Sequence, residues 1–216
     1  MQLALTRAEI LAFQDDIRER FLRAEIRHPI HLCDPNQLDY LLPIFEQIEP
    51  QDWLFTSYRG IYHWLLKGVP PQTLLAYILE HGTMGFCDKE RRIVSSAIVG
   101  GCLPVAVGVA MGLDRQQKGG LSSADNSGVW CFVGDMAAQT GGFHEATKYA
   151  ITHGLPVKWI IEDNGLSTNT PTLAVWGLRE SGTIADFLVE ANKVVALRQY
   201  RRNVPHVGAG AWVTFS

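Results

Sequence analysis

An aspartate carboxylate and an asparagine amide, Asp135 and Asn164, stand 29 positions apart. The stretch around them reads Gly134-Asp135-Met136-Ala137-Ala138, then Gly141-Gly142-Phe143-His144-Glu145-Ala146, Leu155-Pro156-Val157 and Glu162-Asp163-Asn164. Both side chains offer oxygen, the ligand that a hard cation such as Mg²⁺ prefers. A gap of this length holds one turn, one helix and one returning strand. The βαβ crossover puts both strand C-termini on the same sheet edge, where the two oxygens can converge on one ion. Taken singly, each residue also has an ordinary structural job, Asp135 as a helix cap and Asn164 in a turn.

The elements that must position these residues are visible as periodicity. Val129 to Val133 is a short apolar run, the mark of a buried parallel strand; a helix follows over 141–153 and a second strand over 157–162. Upstream, Ile10, Leu11, Phe13, Ile17, Phe21 and Leu22 recur at helical spacing, and Thr6 with Glu9 matches a capping box, so a helix is expected from Thr6 to about Arg27. Pro29 to Leu32 reads as extended, and Asp34-Pro35-Asn36 as a turn that caps a helix from Leu38 to Ile48. Trp53 to Gly60 begins apolar and ends polar at a glycine, which suits a short strand delivering Tyr58 and Arg59 at its tip. Helices are expected over Tyr62 to Lys67 and, after Pro70-Pro71, over Leu74 to Glu80, with Gly82 as the stop. From Ala97 to Leu113 the chain is almost uncharged, which predicts a turn feeding a helix buried on most sides. Gly165 to Thr172 reads as a loop, residues 183 to 192 as a short helix and Val194 to Arg201 as a final strand. The glycine-rich tail from Asn203 reads as partly unpaired or covered by a partner.

Taken together, Gly134-Asp135, Ala137-Ala138, Gly141, Phe143, Glu145-Ala146, Leu155-Pro156, Glu162 and Asn164 resemble the thiamine diphosphate motif of the 2-oxo acid dehydrogenase alpha subunits, which runs Gly-Asp-Gly to Asn-Asn over the same span. A generic βαβ unit requires none of these residues together. Met136 stands where that family has its second glycine. Thr56-Ser57-Tyr58-Arg59 is similar to the family's Tyr-Arg pair, and Arg has the fork of donors that suits phosphate. Ala97-Ile98-Val99-Gly100-Gly101-Cys102-Leu103-Pro104 is similar to the family's Gly-Ile-Val-Gly-Ala-Gln-x-Pro turn.

The resemblance implies an α/β fold, a mostly parallel sheet flanked by helices, forming one diphosphate-binding domain over 1–216 with the N-terminal helices of residues 6–48 packed on it. It implies thiamine diphosphate and Mg²⁺ as cofactors. Asp135, Asn164 and the backbone carbonyl of Leu166 would hold the metal. Tyr58, Arg59 and the backbone of Gly134, Met136 and Ala137 would hold the diphosphate, and backbone groups of Ala97 and Val99 the aminopyrimidine ring. His206 falls where the family often has a histidine near the phosphates or the reacting carbon, and is the catalytic candidate. The family's histidine beside the Tyr-Arg pair falls at Ile61, and its Gly-Ser-Met-His is replaced by Gly82-Thr83-Met84-Gly85-Phe86, which leaves the acyl acceptor open. The implied activity is decarboxylation of a 2-oxo acid with transfer of the acyl or aldehyde unit. A separate beta subunit would supply the glutamate that activates the cofactor, in an alpha2-beta2 assembly. Two alternatives stay open: a split transketolase-like protein that moves a two-carbon ketol unit, and a non-catalytic scaffold subunit that has lost the cofactor.

Composition narrows the remaining classes. With 216 residues the chain is long enough for one well-buried domain. A net charge of −3 with 19% charged residues leaves no basic footprint for nucleic acid. Cys33, Cys87, Cys102 and Cys131 form no Cys-x-x-Cys pair, so buried reduced thiols are expected rather than a zinc or redox site. Met1 to Arg23 has no signal-peptide core and no apolar run approaches the ~20 residues of a membrane span, which together predict a cytoplasmic protein.

Overall fold

In the parallel sheet at the centre, alternate residues of each strand face opposite layers of helix. The structure, a computed structural model, describes residues 5–119, 126–177 and 195–215. Strands β1 (Trp53–Ser57), β3 (Ile93–Ser96), β4 (Val129–Gly134), β5 (Val157–Asp163) and β8 (Val195–Gln199) run parallel, with the short β2 (Cys87–Asp88) antiparallel at one edge; the order is β2-β3-β1-β4-β5-β8. The chain steps from β1 out to β3 and then back past β1 to β4, so the order reverses between β1 and β4. In open α/β sheets the crevice at the strand C-termini of such a reversal is where ligands bind.

Trp130, Phe132 and Ile160 face one apolar layer, built with helices α1 (Arg7–Leu22), α2 (Leu38–Phe45), α3 (Ile61–Leu66) and α4 (Pro71–His81). Val129, Cys131, Val133, Val157, Trp159 and Ile161 face the other, built with α5 (Cys102–Lys118) and α7 (Gly141–Thr152). Burial on both faces explains why β4 and β5 read as near-continuous apolar runs. No helix among the described residues is long and apolar enough to cross a membrane.

Several boundaries differ from those expected. The first helix stops at Leu22, because Ala24 turns left-handed at φ 59 and the N–H of Glu25 caps the carbonyl of Arg20. Glu25 then pairs with Arg20 at 2.9 Å and Arg23 at 2.7 Å, which fixes the stop. α2 ends at Phe45, and Ile48 lies in a following turn. The helix expected from the 97–113 stretch begins only at Cys102, after Gly100 at φ 73, and runs on to Lys118. It is amphipathic rather than buried on most sides: Pro104, Val105, Gly108 and Gly112 are exposed. β2 and β3 were not signalled at all, since four residues between Arg92 and Ala97 are too few to show a period. The segment 165–172, expected as a loop, holds a hairpin of β6 (Leu166–Ser167) and β7 (Thr170–Pro171), and α8 (Thr172–Trp176) follows it. The expected helix at 183–192 lies outside the described residues. Two thiols depart from the burial expected of them, Cys87 being exposed and Cys102 half-buried; all four cysteines are free.

The tail returns to the N-terminal layer instead of standing clear. Asn36 Nδ2 donates to the carbonyl of Arg201 at 3.0 Å, the N–H of Asn203 donates to Asp34, and that of Gly208 donates to the carbonyl of Ile30. Trp212 remains 95% exposed.

Candidate active site

The register of the sheet brings the separated motifs together. Gly134 pairs with Glu162 across β4 and β5, so the chain leaves both strands at the same level and continues into Asp135 and Asn164. Phe55 pairs with Cys131 and with Val94, which puts Tyr58 and Ala97 just past the same edge on β1 and β3. One cleft results, with about 840 Å³ of space including its open mouth. Tyr58, Arg59, Ala97, Val99, Gly134, Asp135, Met136, Ala137, Asn164 and Leu166 all line it. His206 does not.

Asp135 opens the four-residue helix α6 (Asp135–Ala138), whose N-cap is Gly134; no side chain caps it. The carboxylate is 6% exposed and accepts a hydrogen bond of 2.5 Å from the Thr172 hydroxyl. Among the described residues no Lys, Arg or His lies within ion-pair distance of it. Burial raises its pKa above the ordinary carboxylate value, opposed by the Thr172 hydroxyl and reinforced by the charge of Asp163. A second buried carboxylate, Asp52 at the far end of the sheet, shows what a purely structural role looks like. It accepts from three N–H groups, those of Glu49 at 3.0 Å, Gly128 at 2.6 Å and the Trp130 indole at 3.0 Å. Asp135 accepts from the Thr172 hydroxyl and from the backbone N–H groups of Asp135 and Met136, and Arg202 feels its charge across the cleft, yet burial still outweighs them and raises its pKa.

Asn164 does take the turn role: its Oδ1 accepts from the N–H of Leu166 at 3.0 Å, while its Nδ2 donates to the Tyr200 hydroxyl at 2.8 Å. That pairing fixes which end of the amide is oxygen and keeps a lone pair of Oδ1 available. The hairpin beyond it turns through Thr168 at φ 52, a left-handed conformation rare for a β-branched residue.

Arg59 is 8% exposed, and its guanidinium donates to two carbonyls, those of Leu32 and, at 3.1 Å, His206. Among the described residues no carboxylate pairs with it. Arg202, also on the cleft, donates to Asn169 at 3.1 Å. Its pKa is lowered by burial and then by Arg59, so the two guanidiniums share one region of positive potential at the mouth. The loop of Ala97 to Gly100 contributes backbone to the opposite wall and leaves Ile98 and Val99 74% and 60% exposed.

His206 sits beside the cleft, its ring 6.0 Å from Tyr58 and 5.3 Å from His31. Its backbone carbonyl meets Arg59, its imidazole packs on Tyr58, and its Nδ1 is buried without a hydrogen-bond partner. His31 packs at 4.5 Å on Tyr58 and hydrogen-bonds Thr83 through Nδ1 at 3.2 Å. Burial, then Arg59 and His206, push His31 down to about 4. A depressed histidine contributes stability that is complete above its ordinary 6.5 and is lost as pH falls toward the folded value. The urea midpoint should therefore drop between pH 6.5 and 4, and His31→Gln should flatten that slope; an unchanged slope would contradict the burial of a neutral His31.

Glu162 belongs to the motif, yet its role was not anticipated. Its Oε1 accepts from Tyr40 at 2.6 Å, Gln37 at 3.1 Å and His63 at 3.2 Å. Burial works to raise this carboxyl, but His63, Tyr40 and Gln37 outweigh it and hold it below the ordinary value. The site thus leans on the N-terminal helices, whose residues are 99 to 125 positions away and left no local signal. Glu145 is exposed on α7.

The dehydrogenase E1 component family matches residues 13–191, most of the chain and the whole of the cleft except Arg202 and Tyr200. This chain belongs to that family. Among its relatives, the alpha subunit of acetoin:2,6-dichlorophenolindophenol oxidoreductase from Bacillus subtilis (strain 168) is 27% identical over 173 residues, covering 76% of this chain and 50% of its own. The pyruvate dehydrogenase E1 component subunit alpha of Zymomonas mobilis is 29% identical over 130 residues, covering 56% and 35%. A solved structure from Mycobacterium smegmatis, there proposed to be a thiamin diphosphate-dependent enzyme, aligns over 74% of this chain and 30% of its own with a TM-score of 0.43 and 15% identity. This dehydrogenase E1 chain spans half or less of the length of these relatives.

Proposed function

We propose that this E1 chain is the diphosphate- and metal-binding half of a thiamine diphosphate-dependent enzyme that decarboxylates a 2-oxo acid and passes on the acyl or aldehyde unit. The observation that carries this reading is Asp135, a buried carboxylate with no cation in ion-pair contact among the described residues, on one cleft with Asn164, Arg202 and the carbonyl-bound Arg59. A Mg²⁺ ion held here would supply positive charge to that carboxylate. Asp135, Asn164 Oδ1 and the Leu166 carbonyl would ligate it, all three being the hard oxygens it takes. Arg59 and Tyr58 would reach the terminal phosphate, and backbone groups of Gly134, Met136 and Ala137 the rest of the diphosphate. Ala97 and Val99 would hold the aminopyrimidine ring through their backbone. When bound, thiamine diphosphate would supply the nucleophile and electron sink that decarboxylation of a 2-oxo acid requires.

The chain's own side chains bind and orient; they do not complete the chemistry. Activation of the cofactor calls for a glutamate against its pyrimidine ring, and Glu162 is the single glutamate lining the cleft among the described residues. Its Oε1 is already engaged by three donors. This supports a separate beta subunit as the source of that glutamate, with an alpha2-beta2 assembly as the proposed form. The relatives, named as alpha subunits, support the same division of labour. The purified chain should turn over nothing, and mixing it with a pyrimidine-binding partner should restore decarboxylation of pyruvate measured as CO₂ release. Turnover by the chain alone would contradict the assignment, and transfer from a ketose phosphate in place of pyruvate decarboxylation would move it to the transketolase-like class.

A further inference from the structure

The Thr172 hydroxyl is placed to act on the proposed metal ligand, a role that no motif residue announces. The excursion that begins at Asn164 comes back on itself: Leu166–Ser167 pairs with Thr170–Pro171, and the N–H of Thr172 closes the turn on the carbonyl of Gly165 at 3.0 Å. The returning chain delivers Thr172, 3% exposed, to Asp135 Oδ2 at 2.5 Å, across 37 positions of sequence. Other buried threonine hydroxyls serve the backbone or the core. Thr147 bonds the carbonyl of Phe143 on its own helix, and Thr56 accepts from the Trp64 indole at 3.2 Å. Among the described buried threonines, Thr172 is the one that donates its proton to a carboxylate. One turn later on α8, the Trp176 indole donates to Met136 Sδ at 2.9 Å, so the arm is anchored at two adjacent residues of the Asp135–Met136 turn.

We infer that Thr172 is a positioning residue for the metal. By occupying Oδ2 it holds the Asp135 carboxylate in one rotamer and turns the remaining oxygen toward the ion, as hydrogen-bond partners of metal-ligating carboxylates do elsewhere. The hairpin thereby couples both ligands: the chain that presents Asn164 also carries the group that orients Asp135. A hydroxyl bond between two largely buried groups is worth more than it would be in water.

This inference rests on the reading of Asp135 as a metal ligand, so its test includes that residue. Mn²⁺ is titrated into the full chain at saturating thiamine diphosphate, and free Mn²⁺ is followed by electron paramagnetic resonance, for the wild type, Thr172→Val, Thr172→Ser and Asp135→Ala. Loss of an outer partner of a metal ligand weakens binding by roughly 10–100-fold, which is the shift expected for Thr172→Val. Thr172→Ser, which keeps the hydroxyl, should bind as the wild type does. Melting of the metal-free proteins should rank differently, because serine loses the packing methyl and valine keeps it; should valine fail to fold, Thr172→Ala takes its place. Equal Mn²⁺ affinity in wild type and Thr172→Val, or serine failing to rescue, would overturn the inference. Equal affinity in wild type and Asp135→Ala would instead overturn the metal site itself, and the role of Thr172 with it.

Discussion

Replacing Asp135 with asparagine should make the ligand-free chain more stable while abolishing its response to Mg²⁺ and thiamine diphosphate. The folded carboxyl has a pKa above its ordinary 3.8, chiefly because burial disfavours the charge. Such a group contributes stability that is full below the unfolded value and is lost as pH rises through the folded one, so at neutral pH its ionised form is a net cost. Asparagine keeps the oxygen that accepts from Thr172 and carries no charge. The apo variant should melt above the wild type at neutral pH, and the gain should vanish in acid. The ligand response goes the other way. Saturation at ~100 times the dissociation constant adds roughly 2.7 kcal/mol to the wild type by mass action, and Asp135→Asn should show none of it. Thermal scans at neutral pH with and without the ligands check both signs at once. A destabilised apo variant, or one that still shifts with ligand, would show that the carboxylate is structural.

Arg59→Lys should weaken diphosphate binding by roughly 10–150-fold, the equivalent of losing a charged hydrogen bond of about 1.5–3 kcal/mol. The guanidinium bridges the carbonyls of Leu32 and His206, which come from the first layer and the tail, and still has donors left for an anion. A lysine ammonium is one compact point and cannot span two carbonyls and a phosphate together. Arg59→Met removes the charge as well and leaves both buried carbonyls unpaired, at a cost of ~1–3 kcal/mol each. Competition with inorganic pyrophosphate separates the two consequences. Binding of pyrophosphate should fall in both variants, and stability should fall most in Arg59→Met. Undiminished pyrophosphate binding in Arg59→Lys would remove Arg59 from the anion site.

How far the residues announce this arrangement depends on the range over which each signal acts. Thr6 and Glu9 state the first helix within four residues, and both reciprocal bonds of the capping box are present. The β4–α7–β5 unit is equally local, because buried parallel strands leave a continuous apolar run and the motif residues lie along one stretch of chain. Signals fail where structure is short or the partner is remote. β3 has four residues, and the hairpin after Asn164 has two on each strand, too few for any period. Gln37 and Arg202 line the cleft, Thr172 and Tyr40 bond residues that do, and nothing near any of them in sequence marks the residue it meets. His206 stands beside the cleft rather than on it, and a motif position specifies the course of the backbone before it specifies a side chain. There the carbonyl meets Arg59 and the imidazole packs on Tyr58. The stop at Ala24 is local, set by a left-handed residue and by Glu25 pairing with Arg20 and Arg23, and apolar periodicity does not register it.

The central claim is that Asp135 and Asn164 grip one ion over the diphosphate. Crystals grown with Mn²⁺ in place of Mg²⁺ and with thiamine diphosphate, measured at the manganese absorption edge, test it directly. The account predicts one anomalous peak within about 2.1–2.2 Å of an Asp135 carboxylate oxygen and Asn164 Oδ1, the range of small octahedral cations. A peak elsewhere in the cleft, or cofactor density with no metal between those two side chains, would contradict it.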